Sequence, residues 1–503
     1  MTSKTMRARP STLKGGIHLS GGQIVSQACS FIRNVILARM ISVEDFGVAA
    51  AFAMTLSLLE MISNLSLDKQ LVQAADGNEP DFQNAAHFVH LTRGIGIGIV
   101  LFALAGLVAR LFGIPQAVWG FRCLALLPVM RGFLHLDNIR MQREMRFGPA
   151  VSVDVISNVL VTLVAWPIAA WFRNYNAMLA ILLIQVAVAG IASHWVAERR
   201  YSWSWDGRYA RRMFTFGWPL LISGLLLYGM MQGDRLVIGS ARQLFPGATY
   251  TLKDLGEYSI AFSLMMAPAM FIGNVASSLF LPVLARVQAV PNEFQRNYQR
   301  AFAFLCLLAA LITIPCILAG PQLVVWIYGA KYSAAAGLVG WLAAVWGLRI
   351  IRYVPTIAAL AYADTQAVMI SNLVRSSALC GSIYAAATGK GLVWIAISAL
   401  AGELLALPVL MRRIRRLHGV SARLCVPPMA AIGLGVIAAA MISYSGVSRA
   451  HPLSALLASL VTVGGTTLIL SAAAPGLRYD LLSMASRTLG MFGMKNPIRE
   501  ADA

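Results

Sequence analysis

The sequence predicts an all-α polytopic membrane protein with about 14 transmembrane helices. Of the 503 residues, 58% are hydrophobic and only 12% are charged, whereas soluble domains carry about 25% charged residues. Apolar runs recur almost to the end of the chain, each with the roughly 20 residues that a helix needs to cross a hydrocarbon core about 30 Å thick. We place the spans near residues 17–40, 46–67, 87–111, 116–136, 148–172, 175–197, 213–240, 257–285, 300–328, 335–361, 366–388, 391–411, 424–446 and 452–474.

The distribution of Lys and Arg between the loops predicts the orientation of the chain. If the N-terminus lies in the cytoplasm, the cytoplasmic loops and tails carry 25 of these residues and the opposite side carries 8. Cytoplasmic loops are enriched in Lys and Arg, so we expect both termini on the cytoplasmic side. The same asymmetry accounts for much of the net charge of +20, and nucleic-acid binding is not needed to explain it.

A short motif occurs twice and indicates an internal repeat. VEDFGVAAAF at 43–52 is similar to LKDLGEYSIAF at 252–262, and RNVI at 33–36 is similar to RLVI at 235–238. Internal repeats are typical of transporters that bind their substrate between two halves. We therefore predict a cytoplasmic N-terminal segment (1–16), two six-helix lobes (17–197 and 213–411), two added helices (424–474) and a cytoplasmic tail (475–503).

The first copy of the motif contains Asp45-Phe46-Gly47, a triplet that in protein kinases marks the loop whose aspartate holds magnesium against ATP. A kinase also needs an ATP-pairing lysine strand and an HRD catalytic loop, and the sequence has neither. The predicted role is structural instead. The Asp45 side chain would cap the second helix by accepting from the free N–H groups of the helix's first turn. Gly47 would permit a tight turn between two helices.

Three longer stretches resemble one known transporter family. ILARMISVEDFGVAAAFAMTLSLLEMISNLSLDKQLVQ (36–73), FTFGWPLLISGLLLYGMMQGDRLVIG (214–239) and LGEYSIAFSLMMAPAM (255–270) resemble helices of the Wzx-type polysaccharide flippases. The MQREMRF loop (141–147) is also similar, and the resemblance covers about residues 15–415. These flippases belong to the multidrug/oligosaccharidyl-lipid/polysaccharide exporter superfamily, so the resemblance implies a MATE-like fold.

The resemblance also implies a function. Wzx-type flippases move undecaprenyl-pyrophosphate-linked oligosaccharide repeats across the bacterial inner membrane by alternating access, for exopolysaccharide, capsule or O-antigen synthesis. The implied partners are this anionic lipid-linked oligosaccharide, membrane lipids, a coupling H⁺ or Na⁺, and polysaccharide polymerase or export machinery. No enzyme activity, cofactor or metal is expected. Two alternatives stay open: an ion-coupled small-molecule exporter, and a membrane polysaccharide polymerase or ligase, which the short outer loops disfavour.

Charged residues inside the predicted spans are the candidate site residues. A mid-membrane arginine costs about 2.5–3.5 kcal/mol on insertion scales, so each one must reach the interface, find a partner or face an internal cavity. Because Arg93, Arg122 and Arg131 lie near the ends of their spans, we expect them to extend to the interface. The basic residues in the spans are Arg33, Arg93, Arg122, Arg131, Arg235, Arg349, Arg352 and Arg375.

Arg349, Arg352 and Arg375 lie too deep to reach water easily, and the first two share a helix face at i and i+3. Arginine binds phosphate oxygens bidentately and stays charged, which suits an anionic lipid-linked cargo. These three are the predicted substrate-binding residues. Arg33 and Arg235, equivalent in the repeat, either line the same cavity or extend to the interface. The alternative for the deep arginines is pairing with Asp154, Asp234, Glu60 or Glu403.

Two acidic residues are candidates for binding a coupling proton or sodium ion. Asp154 lies in the fifth predicted span and Glu60 in the second. Ionisable groups at membrane depth mark ion pathways or ion pairs, so structural pairing is the alternative role. The six cysteines form no CxxC pair, and we predict neither disulfides nor a metal cluster.

Overall fold

The protein folds into α-helices joined by short loops. The computed structural model describes residues 10–63, 67–74, 76–200, 202–446 and 452–474, and these residues contain no β-strand. The predicted tail (475–503) and residues 1–9 lie outside the described residues. The described helices are α1 (Pro10–Met40), α2 (Val43–Ser63), α3 (Leu67–Gln73), α4 (Pro80–Leu111), α5 (Val118–Leu124), α6 (Leu126–Gly132), α7 (Asp137–Arg143), α8 (Gly148–Phe172), α9 (Asn176–Val196), α10 (Gly207–Leu244), α11 (Leu252–Arg286), α12 (Pro291–Tyr328), α13 (Ala336–Ala361), α14 (Thr365–Ser376), α15 (Ala378–Ala387), α16 (Leu392–His418), α17 (Val426–Tyr444) and α18 (Pro452–Ala473).

Each predicted span coincides with one of these helices or with a broken pair. Nine of the described helices are long and apolar enough to cross a membrane, and a tenth span results if the bent pair Pro115–Gly132 and Asp137–Arg143 counts as one. The predicted all-α polytopic membrane fold is therefore confirmed, while the number of 14 spans stays a prediction.

The fourth and eleventh predicted spans are broken rather than continuous. The break between α5 and α6 follows from Pro128, which has no N–H to donate to the carbonyl of Leu124 and whose ring crowds that carbonyl. At the break between α14 and α15, the hydroxyls of Ser376 and Ser377 each donate to a carbonyl oxygen three residues earlier, at 2.7 Å. Such side-chain bonds compete with the helical ladder.

The helices group into two compact units. Among the described residues, the first unit runs to residue 259 and includes 383–390, and the second unit comprises 260–382 and the chain after 390. In the first unit, α1 packs on α8, α8 on α9, and α10 on α2 and α4. In the second unit, α12 packs against α13, α17 and α18, and α13 packs against α16. The lobes predicted from the repeat stay a prediction, since the contacts place α10 in the first unit.

The two copies of the repeat motif pack directly against each other within the first unit. A Cβ atom added at Gly47 would overlap the carbonyl oxygen of Leu252 and lie 2.8 Å from its carbonyl carbon. A Cβ atom at Gly256 would overlap the carbonyl oxygen of Val43 and lie 3.2 Å from the nitrogen of Gly47. Because Val43 and Leu252 are equivalent positions of the repeat, the contact between α2 and the start of α11 is reciprocal.

The structural roles predicted for Asp45 and Gly47 are wrong in detail. Both lie inside α2, so Gly47 permits a close helix crossing and not a turn. The residue that caps α2 is Ser42, whose hydroxyl oxygen accepts from the Asp45 N–H at 3.0 Å. Thr251 caps α11 in the same way, accepting from the Asp254 N–H at 3.3 Å. The Asp254 carboxylate also accepts from the Thr251 N–H at 2.8 Å, which completes a capping box at α11. At α2 the Ser42 hydroxyl instead donates to Asp45 Oδ2 at 2.6 Å.

Candidate functional site

The three predicted substrate-binding arginines converge on one glutamate within the second unit. Arg349 and Arg352 come from the middle of α13, where their spacing of three residues places them on one face. Arg375 comes from the last turn of α14, and Glu403 comes from α16. We call these four residues the arginine cluster.

Glu403 accepts hydrogen bonds from all three arginines. Its Oε1 accepts from Arg349 Nε at 2.6 Å and from Arg375 Nη1 at 3.5 Å, and its Oε2 accepts from Arg352 Nε at 3.0 Å. Glu403 is 0% exposed and the three arginines are only 7–8% exposed, so none of them extends to an interface. Since one carboxylate faces three guanidinium groups, the formal charge of the arginine cluster is +2.

Further polar groups surround Arg349 and Arg352. The Arg349 guanidinium lies over the Trp346 ring, 4.3 Å from the ring centroid, in cation–π geometry. Arg352 Nη1 donates to Asn372 Oδ1 at 3.4 Å. Within the described part of the chain, Arg349 Nη1 and Trp346 Nε1 are buried and have no hydrogen-bond partner. A buried donor without an acceptor costs about 1–3 kcal/mol, so both groups would gain from an additional acceptor.

The structure thus shows the pairing with Glu403 that the sequence left open as an alternative to substrate binding. This pairing leaves two of the three positive charges uncompensated, and buried charges without a counter-ion are costly. The convergence of Arg349, Arg352 and Arg375 was predicted, whereas their role in binding substrate stays a prediction.

A polar cavity of about 440 Å³ lies within the first unit. Glu60 forms an ion pair with Arg131 in its wall. The carboxylate of Asp154 also lines the cavity, and among the described residues it has no hydrogen-bond or ion-pair partner. We call this space the first-unit cavity; its polar wall residues are Glu60, Asp68, His90, Arg93, Arg131, Asp154, Ser157, Asn158 and Gln185.

The two repeat-equivalent arginines are both placed in the first unit but have different partners. Arg33 is 8% exposed, and its Nη1 and Nη2 donate to Asn158 Oδ1 at 3.0 Å and to Gln185 Oε1 at 3.5 Å. Arg33 therefore holds two amides of the cavity wall and does not extend to the interface. Arg235, on α10, donates to Gln232 one turn earlier.

Arg93 and Arg131 both line the first-unit cavity, and their extension to the interface stays a prediction. Glu60 supplies an opposite charge to Arg131, and Asp68 adds a second acid to the wall. The sequence feature that indicated this ion pair was Glu60 itself, an acid within the second predicted span. The guanidinium of Arg122 lies 5.3 Å from the Phe102 ring centroid.

Comparison with known proteins identifies the family. A family model described as "Polysaccharide biosynthesis protein" matches residues 36–337, which is more than half of the chain. The chain belongs to this family. The teichuronic acid biosynthesis protein TuaB of Bacillus subtilis (strain 168) is 20% identical over 58% of this chain and 59% of its own length. The succinoglycan biosynthesis transport protein ExoT of Rhizobium meliloti (strain 1021) is 24% identical over 62% of each chain.

This member of the polysaccharide biosynthesis family spans about three fifths of the length of those curated relatives. Among solved structures, the lipid II flippase MurJ in an inward closed conformation superposes with a TM-score of 0.72 at 12% identity, covering 91% of this chain and 99% of that one. At this identity the likeness shows the fold alone. The family match confirms the predicted resemblance to proteins of polysaccharide biosynthesis, and the likeness to MurJ confirms the predicted type of fold.

Proposed function

We propose that this family member is a flippase that moves an undecaprenyl-pyrophosphate-linked oligosaccharide from the inner to the outer leaflet of the bacterial cytoplasmic membrane. The observation that carries the proposal is the arginine cluster, a buried site of formal charge +2 on three helices of the second unit. Two similar proteins support it, since one is a transport protein of succinoglycan biosynthesis and the other is a lipid II flippase.

The chemistry of such a cargo fits the arginine cluster. A lipid-linked oligosaccharide joins a polyprenyl chain to a sugar chain through a pyrophosphate, which must cross the hydrocarbon core with its negative charges. Guanidinium groups bind phosphate oxygens bidentately and stay charged at every working pH. Arg349 and Arg352 present two such groups on one face of α13, and Arg375 presents a third. The polyprenyl chain stays in the bilayer.

Translocation proceeds by alternating access, in which the site opens first to one side of the membrane and then to the other. With both termini in the cytoplasm, the N-terminal ends of α2 and α11 lie on the outer side. The reciprocal contact of Gly47 and Gly256 joins these two ends. Parting of this contact opens the outer side to release the cargo, and its re-formation closes that side.

The first-unit cavity is the proposed site of the coupling ion, H⁺ or Na⁺. Its charged wall residues are three acids and two arginines, so its formal charge is −1 with His90 neutral. That sign favours a cation over the anionic cargo. Asp154 is the proposed ion-binding carboxylate, because Glu60 already pairs with Arg131.

The charge of the arginine cluster also distinguishes this proposal from the small-molecule exporter. An exporter of organic cations needs an acidic site, and a buried charge of +2 repels such a cargo. A polymerase or ligase would be expected to carry a large outer loop with catalytic residues, whereas the described helices follow one another through short connections.

Replacing Arg349 and Arg352 by glutamine tests the proposal. The double variant lowers the formal charge of the arginine cluster from +2 to 0. Since hydrogen bonds to charged groups contribute about 1.5–3 kcal/mol each, we expect export of surface polysaccharide to fall at least about tenfold. Protein abundance, measured by immunoblot, should stay normal. Arg122→Gln removes an arginine outside the cluster and is the matched control; normal export by the double variant would contradict the proposal.

A further inference from the structure

Glu403 holds the three arginines of the arginine cluster through one nitrogen each. It accepts from the Nε atoms of Arg349 and Arg352 and from one Nη of Arg375. An oxyanion that binds a guanidinium in its full fork uses two parallel N–H groups at once. None of these three contacts is bidentate, so each guanidinium keeps further N–H groups that can donate to a second anion.

One of the remaining groups is already poised for such an anion. Arg349 Nη1 is buried and has no acceptor among the described residues, although the same side chain donates from its Nε to Glu403 at 2.6 Å. Arg349 Nη1 can therefore donate to a phosphate oxygen of a cargo in the cluster while Nε still donates to Glu403. The exchange of one anion for the other then needs no state in which all three arginines lack a counter-ion.

The charge of Glu403 also limits how tightly the arginine cluster can hold a phosphate. With Glu403 ionised the formal charge is +2, and without it the formal charge would be +3. At the effective dielectric of a protein, one unit charge a few ångströms away changes an anion's affinity by more than about tenfold. A transport site must bind well enough to load and weakly enough to unload.

We infer that Glu403 is an exchangeable counter-ion for the cargo. When no cargo is present, Glu403 accepts hydrogen bonds from Arg349, Arg352 and Arg375. When the cargo binds, its phosphate oxygens replace Glu403 as the acceptors, and the bonds to Glu403 form again when the cargo leaves. The inference rests on the proposed function, because it takes the arginine cluster as the place where the cargo's phosphate binds. The four residues lie on helices of one unit, so the exchange takes place within that unit.

The test measures binding by the full-length protein in lipid nanodiscs. The probe is a labelled polyprenyl-pyrophosphoryl-N-acetylglucosamine, and its Kd and dissociation rate are compared for the wild type and Glu403→Gln. The expected result is a Kd at least about tenfold lower in the variant, with slower dissociation. The matched control is Glu257→Gln, because Glu257 is a buried glutamate, 6% exposed, on α11 in the first unit. Its Kd should equal that of the wild type.

A second pair of variants keeps the test valid if Glu403→Gln fails to fold. In the Arg375→Gln variant the formal charge of the arginine cluster is +1, and adding Glu403→Gln raises that charge to +2, the value of the wild type. The double variant should therefore bind the probe at least about tenfold more tightly than Arg375→Gln alone. A purely structural Glu403 predicts the reverse, since its loss would leave the arginines without their anion.

The Arg349→Gln/Arg352→Gln variant separates the two ways in which the test can fail. If the wild type does not bind the probe, or if this variant binds it equally well, the cargo site of the proposed function is wrong and the inference falls with it. If this variant loses binding while removal of Glu403 leaves the Kd unchanged or raises it, only the inference is overturned. A lower Kd in both comparisons supports it.

Discussion

Replacing Gly47 by alanine tests the reciprocal contact between the repeat copies. The added Cβ would overlap the Leu252 carbonyl oxygen and lie 2.8 Å from the Leu252 carbonyl carbon, whereas carbon atoms in proteins pack at about 3.5–4.0 Å. A backbone carbonyl cannot rotate away as a flexible side chain can. The two helices must therefore separate by about 1 Å at this point to reach normal packing distances.

Two opposing effects set the size of the change. Overpacking of this kind costs about 1–3 kcal/mol, and alanine gains about 0.5–1 kcal/mol over glycine inside a helix. We expect Gly47→Ala to lower the free energy of unfolding by about 0.5–2 kcal/mol. The matched control is Gly96→Ala in α4, where an added Cβ meets nothing within 4 Å, so only the gain should remain.

The measurement is thermal unfolding of the purified protein, followed by tryptophan fluorescence. Gly47→Ala should unfold at a lower temperature than the wild type, and Gly96→Ala at the same or a higher temperature. Because Gly256 faces the same contact, the Gly47→Ala/Gly256→Ala double variant should lose less than the sum of the single losses. Equal shifts for Gly47→Ala and Gly96→Ala, or strict additivity of the two contact variants, would refute the reciprocal crossing.

Three further predictions concern the first unit and the helix caps. Glu60→Gln leaves Arg131 without its anion, and because both side chains are nearly 40% exposed the free energy of unfolding should fall by only about 1 kcal/mol; an unchanged unfolding midpoint would contradict the pair. Asp154→Asn should change stability by less than about 0.5 kcal/mol, yet abolish the response of transport in proteoliposomes to a pH or Na⁺ gradient; a retained response would exclude Asp154 as the coupling site. Ser42→Ala and Thr251→Ala should each cost about 1 kcal/mol through loss of a helix cap, and thermal midpoints equal to that of the wild type would argue against the two caps.

The helices were predictable because their length and apolarity are properties of the sequence alone. The fifth span was placed at 148–172, and the helix there is Gly148–Phe172. The breaks near Pro128 and Ser377 were missed, although both have local causes in the sequence. Spans are predicted from the apolar run. A proline in a first helical turn and a pair of adjacent serines change the backbone without interrupting that run.

Partners across helices were not predictable to the same degree. Arg375 and Glu403 lie on different helices, and only the rotation of α14 and α16 about their axes brings them together. In a membrane the lipid-facing side of a helix is apolar too, so the hydrophobic pattern does not fix that rotation. Gly47 was misread for a related reason, because glycine serves both turns and close helix crossings.

The central claim is that this protein moves lipid-linked oligosaccharide across the cytoplasmic membrane. The most direct test is to delete the gene and to measure both the surface polysaccharide and the lipid-linked oligosaccharides in extracts of the inner membrane. The account predicts loss of surface polymer with single lipid-linked repeats accumulating in the inner leaflet, and recovery by the wild-type gene but not by the Arg349→Gln/Arg352→Gln variant. Normal surface polymer with no accumulated lipid-linked repeat would contradict it.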